Sequence, residues 1–183
     1  MKGTYIVISG PSGVGKGTIC KRLVDELDLK ISTSMTTRNM REGEVDGVDY
    51  YFTNKDDFEK RIKNSEFIEY ASYNDNYYGT LKKEVENRLE HGENVICEIE
   101  VQGAMQIKKM FPNSILIYIL PPSFEELRNR LIHRNTDDIE TIEKRIDIAK
   151  KEKEYIDKYD YVVVNDDIDE AVNKIIGIIK NQK

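Results

Sequence analysis

Tyr5-Ile6-Val7-Ile8-Ser9-Gly10-Pro11-Ser12-Gly13-Val14-Gly15-Lys16-Gly17-Thr18 reads as a buried strand running straight into a glycine-rich turn. The β-branched apolar run predicts the strand, and Ile19, Leu23 and Leu27 at helical spacing predict a helix over Lys16 to Leu27. Between them, the glycines let the backbone curl so tightly that several N–H groups point inward, and the helix beginning near Lys16 adds its positive end to theirs. That is a cradle for phosphate, with Lys16 as a mobile charge on the β and γ phosphates of a nucleotide. A plain glycine-rich connection is the alternative, and the flanking strand and helix weigh against it. The usual pattern has Ser or Thr directly after the lysine, where its hydroxyl helps hold magnesium. Here that place is Gly17, and the hydroxyl arrives at Thr18.

Working outward, further strands are expected at Asn94–Glu100, Ile115–Leu120 and Tyr161–Val164. Helices are expected over Gln102–Met110, from a Ser123/Glu126 capping box to about His133, over Asp138–Ile156, and through Ile168, Val172, Ile175 and Ile179. Strand and helix alternating in this way predict an α/β fold, a mostly parallel sheet covered by helices on both faces. The exception is the stretch 33–94, far longer than a crossover needs. It carries Tyr50, Tyr51, Tyr70, Tyr73, Tyr77 and Tyr78, a turn at Asn74-Asp75-Asn76 and one helix near Asp56–Lys63 capped by Thr53 or Asn54. A small β-rich inserted subdomain is expected there.

The chain has 183 residues, 39% of them hydrophobic and 34% charged, which suits one globular domain rather than two. It contains no apolar run near the ~20 residues that a membrane span requires, and Met1-Lys2-Gly3-Thr4 leaves no room for a leader ahead of the first strand. A cytoplasmic protein without membrane partners is expected. A net charge of −6 argues against nonspecific nucleic-acid binding. The grouped arginines, Arg38 with Arg41 and Arg128, Arg130, Arg134 and Arg145 further on, instead point to a small anionic ligand. Cys20 and Cys97 read as separate buried thiols.

The Lys16-Gly17-Thr18 ending resembles the phosphate loops (P-loops) of nucleoside monophosphate kinases. Ser34-Met-Thr-Thr-Arg38, Arg41-Glu-Gly-Glu44, Asp49-Tyr50, Phe67-Ile-Glu69, Asn76-Tyr-Tyr-Gly-Thr80, Glu98-Ile-Glu-Val-Gln-Gly103 and Val164-Asn-Asp-Asp167 follow in order, and together the chain resembles the guanylate kinase family. The resemblance implies a P-loop core of residues 1–32 and 82–183, a GMP-binding insertion of about 33–81 and a helical lid of about 127–148. It implies phosphoryl transfer from magnesium-bound ATP to GMP, with dGMP as a further acceptor, in purine nucleotide metabolism. ATP and GMP are then the small-molecule partners, Mg2+ is the cofactor, and the oligomeric state stays open.

By the same resemblance, Gly10, Pro11, Ser12, Gly13, Val14, Gly15, Lys16, Gly17 and Thr18 hold the ATP phosphates, and Asn165 and Asp166 contact the adenine and cap the last helix at once, or cap it alone. Arg38, Arg41, Tyr50 and Tyr78 hold the GMP phosphate with planar cationic forks and phenol donors. Glu69 takes the guanine N1–H and amino hydrogens, with Ser34, Thr80 and Glu100 around it. Adenine lacks those donors and would leave a desolvated acceptor unpaired, at a cost of about 1–3 kcal/mol. Lys16, Arg130, Arg134 and Arg145 are the catalytic cations that neutralise charge spread over the transferring oxygens. Which group stands near the metal, Thr18 or Glu98, is left open. Tyr51, Tyr70 and Tyr73 are expected to pack, Arg128 to be solvated, and Asn135 to keep the lid turn. A scaffold module that keeps this fold without turnover, or a kinase for AMP or a pyrimidine nucleotide, are the rival readings. Lys16 and its glycines weigh against the first, and Ser34, Glu69 and Glu100 against the second.

Overall fold

The structure, a computed structural model, describes residues 2–73, 75–133 and 138–181, excluding the side chain of Tyr73. Asn74, Arg134 and Asn135, singled out above, lie outside the described residues, as does the packing of Tyr73. Five strands make the main sheet: β1 (Tyr5–Ser9), β2 (Leu29–Ile31), β7 (Asn94–Glu98), β8 (Ile115–Leu120) and β9 (Tyr161–Val164), in the order β2-β7-β1-β8-β9. Every pairing in it is parallel. Parallel neighbours require crossovers, and these are made by α1 (Lys16–Glu26), α3 (Lys82–Glu90), α4 (Val101–Met110), α5 (Phe124–His133) and α6 (Ile139–Glu152), while α7 (Ile168–Lys180) follows the last strand.

Alternation along the strands divides the core into two layers. Ile6, Ile8, Ile96, Ile117 and Ile119 face α1, α5, α6 and α7, packing on Ile19, Leu23, Leu127, Ile146 and Val172. Tyr5, Val7, Val95, Leu116 and Tyr118 face the other way, onto Val85 of α3 and Val101, Ala104 and Ile107 of α4. Both faces are therefore buried, which is why the strands carry continuous apolar runs rather than a polar alternation.

The insertion forms a second sheet from β3 (Ser34–Thr36), β4 (Tyr51–Phe52), β5 (Phe67–Tyr73) and β6 (Asn76–Leu81), ordered β4-β3-β6-β5, with α2 (Lys55–Lys63) packed on it. Its small core is aromatic: fully buried Phe58 of α2 stacks on Phe67 at 4.3 Å and on Tyr77 at 5.2 Å between centroids. Asn54, not Thr53, caps α2, accepting from the Asp57 N–H at 2.8 Å.

Several expectations are corrected. The strand from Asn94 stops at Glu98, because Ile99 and Glu100 turn out of the sheet to start α4 at Val101. The helix expected to reach Ile156 ends at Glu152 and continues as a 3-10 segment, Lys153–Lys158, which feeds β9. Tyr70 is 46% exposed instead of packed. Arg128 is, as expected, a solvated helix residue with 42% of its side chain exposed, and its Nε donates to Glu143 Oε1 at 2.6 Å, tying α5 to α6. Cys20 and Cys97 are buried free thiols. No helix among the described residues is long and apolar enough to cross a membrane.

Candidate active site

The site lies at the carboxyl ends of the parallel strands, where open α/β sheets bind ligands. The loop after β1 is closed on itself by chain packing. Gly10 has φ 144°, and a Cβ there would lie 2.4 Å from the Ile119 carbonyl oxygen, so only glycine lets the loop cross β8 so closely. Gly15, at φ 98°, starts α1 in the left-handed region, and its α-carbon is covered by the Asn165 amide.

Lys16 folds back into this loop. Its Nζ donates to the Gly10 carbonyl at 2.7 Å and to the Pro11 carbonyl at 3.1 Å, and stands 4.0 Å from Glu98 Oε1. Only 10% of the side chain is exposed, and burial pushes the ammonium below its ordinary value, against the charge of Glu98. A Cβ on Gly17 would come to 3.3 Å from Glu98 Oε2. The unusual Gly17 and the long carboxylate of Glu98 therefore fit each other: a serine or threonine there would crowd it. Thr18, one residue on, is exposed on the first turn of α1.

Three more groups converge on the loop. Arg145 Nη1 of α6 donates to Ser12 Oγ at 3.4 Å. Arg130 of α5 pairs through Nε with Glu126 at 3.0 Å and donates from Nη1 to the Asn165 carbonyl at 3.0 Å. Buried Asn165 donates from Nδ2 to the Val14 carbonyl at 2.7 Å. It does not cap the final helix, and neither does Asp166; Asp167 does, accepting from the N–H groups of Asp169 and Glu170.

A cavity of about 360 Å3 opens beside Glu98, lined by Ser34, Glu69, Tyr78, Thr80, Ile99 and Glu100 among others. Ser34 and Thr80 face each other across the β3–β6 ladder, and Glu69 of β5 is set beside Thr80 by a register shift between Phe67 and Glu69. Thr80 Oγ1 donates to Glu69 Oε1 at 2.7 Å. Glu69 is buried, and desolvation raises its carboxyl above the usual range despite that bond, with Glu100 adding to the rise. Such a carboxylate can accept from a ligand with paired N–H groups.

At the far side of the insertion, Arg38 is gripped by Glu44: Nη2–Oε1 is 2.7 Å and Nη1–Oε2 3.0 Å. Its guanidinium also lies 5.4 Å from the Tyr50 ring centre, and Tyr50 meets Tyr78 edge-on at 6.1 Å. The three residues are thus one cluster. Glu44 also accepts from the Arg41 backbone N–H at 2.7 Å, while Arg41 itself is exposed. The sequence placed Glu44 in a motif without giving it a task; its spacing from Arg38 and Arg41 was the signal.

The two histidines stay outside the site. Nδ1 of His91 lies 2.7 Å from the Asn87 carbonyl, and Nδ1 of His133 lies 2.7 Å from the Asn129 carbonyl. Two other depressions lie away from these carboxyl ends, one of about 450 Å3 around Asp28, His91 and Glu93 at the amino ends of β2 and β7, the other of about 760 Å3 around Arg61, Glu66 and Lys83.

A family model described as guanylate kinase matches residues 2–182. The chain belongs to the guanylate kinase family. It is 51% identical over 182 residues to the guanylate kinase of Oceanobacillus iheyensis, covering 99% of this chain and 88% of the relative. It is 52% identical over 183 residues to that of Caldanaerobacter subterraneus subsp. tengcongensis, covering 100% and 89%. The crystal structure of guanylate kinase from Anaplasma phagocytophilum superposes with a TM-score of 0.77 at 34% identity, covering 99% of this chain and 86% of that one. The guanylate kinase fold thus accounts for both sheets and for nearly the whole chain.

Proposed function

We propose that this protein transfers the terminal phosphoryl group of ATP to GMP, giving ADP and GDP. The observation that carries the reading is Glu98. It lines the cavity that holds Glu69 and Thr80 and stands 4.0 Å from Lys16, so an acceptor pocket and a triphosphate cradle share one wall. Transfer needs donor and acceptor phosphates in line and their charge neutralised, and little else from the protein.

The residues divide the work accordingly. Residues 10–18 cradle the ATP phosphates, with Lys16 leaving the Gly10 and Pro11 carbonyls for the β and γ oxygens. Asn165 braces the loop from behind. Glu69, with Ser34, Thr80 and Glu100, reads the guanine edge, and Arg38, Arg41, Tyr50 and Tyr78 take the acceptor phosphate. Glu44 holds Arg38 in place until that phosphate competes for the same fork. Arg145 already reaches Ser12, and Arg130 stands behind Asn165; with Arg134 they supply positive charge to the transferring group.

This division assigns residues 1–32 and 82–183 to the core, 33–81 to acceptor binding and 127–148 to the lid. Among the described residues no cluster of three or more His, Cys, Asp or Glu side chains forms a metal cage. That donor set, with exposed Thr18 and half-exposed Glu98 at the loop, fits a magnesium ion carried by the ATP phosphates and touched by the protein at its outer face. When bound, magnesium neutralises charge on the phosphates. Two free buried thiols suit the reducing cytoplasm, where we place the reaction.

The test is ADP formation from magnesium and ATP with GMP, dGMP, AMP, UMP and dTMP as separate acceptors. Turnover confined to the guanine nucleotides is expected. Equal turnover with AMP would overturn the assignment of Glu69, and a folded protein inert with every acceptor would favour a scaffold role.

A further inference from the structure

Gly103 has no task in the account above, although it closes the run Glu98-Ile-Glu-Val-Gln-Gly103. It is the third residue of α4, it is buried, and its backbone is helical, without the positive φ that marks Gly10 and Gly15. Any residue adopts that conformation, and glycine inside a helix is disfavoured relative to alanine. The backbone therefore gives no reason for a glycine here. The reason lies beside it.

A Cβ at position 103 would stand 2.4 Å from Ile99 Cδ1, 2.7 Å from Ile99 Cγ1 and 3.5 Å from Glu69 Cγ. Carbon atoms in contact are comfortable at about 3.5–4.0 Å, so the Glu69 stem would just touch the added methyl while the end of Ile99 would overlap it. The Ile99 side chain thus lies across the bare α-carbon of Gly103, and all three residues line the cavity of about 360 Å3. Two of the neighbouring parts are tied. The Ile99 N–H donates to the Ile8 carbonyl at 3.0 Å, which fixes its backbone to the end of β1, and Thr80 Oγ1 holds the Glu69 carboxylate at 2.7 Å. What can yield is the Ile99 side chain. It is partly buried against the core layer that faces α3 and α4, and its open side is the cavity.

We propose that Gly103 is a positioning residue for acceptor binding: by carrying no side chain it gives the end of Ile99 a seat on α4, and so keeps that side chain out of the space the guanine edge needs beside Glu69. The inference rests on the reading of this cavity as the guanine pocket. A methyl group at position 103 then has a definite thermodynamic signature. In the free protein Ile99 turns into the open cavity and the overlap is relieved. When GMP enters, the side chain must return against the methyl, and the strain is borne on binding. Stability of the free protein is spared while affinity for the acceptor falls.

The test uses Gly103→Ala, Ile99→Ala and the Gly103→Ala/Ile99→Ala double variant, each titrated calorimetrically with GMP and separately with ATP, with Tm measured on the unliganded proteins. Overpacking of this kind should weaken GMP binding to Gly103→Ala by roughly 10- to 100-fold and leave ATP binding unchanged. Its Tm should equal or exceed that of wild type, since alanine favours the helix. Ile99→Ala removes both overlapping carbons, so in that background Gly103→Ala should change GMP affinity no further, a coupling that a merely structural role would not produce. Equal losses in the two backgrounds would overturn the proposal, as would unchanged GMP affinity in Gly103→Ala or a matching loss for ATP. A Gly103→Ala protein that no longer unfolds cooperatively would show that Ile99 has nowhere to turn, and would overturn it too. A wild-type protein that binds ATP but not GMP would overturn the reading of the cavity, and this inference with it, before any variant is compared.

Discussion

Replacing Asn165 by aspartate exchanges the amide for an isosteric carboxylate and removes one donor. The side chain is 5% exposed, and its Nδ2–H to the Val14 carbonyl spans 2.7 Å. In the variant an acceptor faces an acceptor, the Val14 carbonyl loses its partner, and a buried charge is added. Leaving a buried group unsatisfied costs about 1–3 kcal/mol. In a domain of this size each kcal/mol moves Tm by about 2–4 °C, so a fall of roughly 2–12 °C is expected. Because Asn165 braces the loop and not the base, the damage should reach anything bound by its phosphates. Calorimetric titration with ATP and with inorganic tripolyphosphate, which has no adenine, separates the two accounts. Both affinities should weaken by a similar factor, about tenfold for each 1.4 kcal/mol lost at the loop. An unchanged Tm, or weakened ATP binding with tripolyphosphate unaffected, would refute the bracing argument and move Asn165 to the adenine.

Further expectations concern Glu69 and Lys16. Glu69→Gln turns one acceptor into a donor opposite the guanine hydrogens; loss of a charge-assisted pair costs about 1.5–3 kcal/mol, so the Michaelis constant for GMP should rise roughly 10- to 150-fold with that for ATP little changed. Equal rises in both would remove Glu69 from guanine recognition. Burial raises the Glu69 carboxyl, so in wild type kcat/KM for GMP should begin to fall at a pH above the usual carboxylate range as protonation removes the acceptor. The same raised carboxyl makes the charged form unfavourable in the fold, so Glu69→Gln should stabilise at neutral pH and the gain should vanish below the ordinary carboxylate range. Lys16→Met keeps the aliphatic stem and should abolish turnover while thermal unfolding stays cooperative; retained turnover would exclude the loop from the transfer.

Much of this was legible from the chain because strong local signals coincide with the chemistry. The phosphate loop announces itself through glycines between a strand and a helix, and the structure places Lys16, Glu98 and Arg145 around it. Other features were too short or too ambiguous to read. β2 and β3 have three residues each, fewer than any periodicity needs. α3 offers only Val85 and Leu89 as buried apolar residues in nine, so its pattern is lost among charges. Asn165-Asp166-Asp167 holds three residues that can each cap a helix, and only packing on Val14 decides that the first turns inward and the third caps.

The pairing of Ser34 with Thr80 places the first and last strands of the insertion side by side at its base. A lobe whose incoming and outgoing chains are hydrogen-bonded to each other is a cassette: its interior can lengthen, shorten or be exchanged without rethreading β2-β7-β1-β8-β9. On the proposed division of work, most of what reads the acceptor hangs from that two-stranded stem, and Glu100 reaches the same cavity from the core.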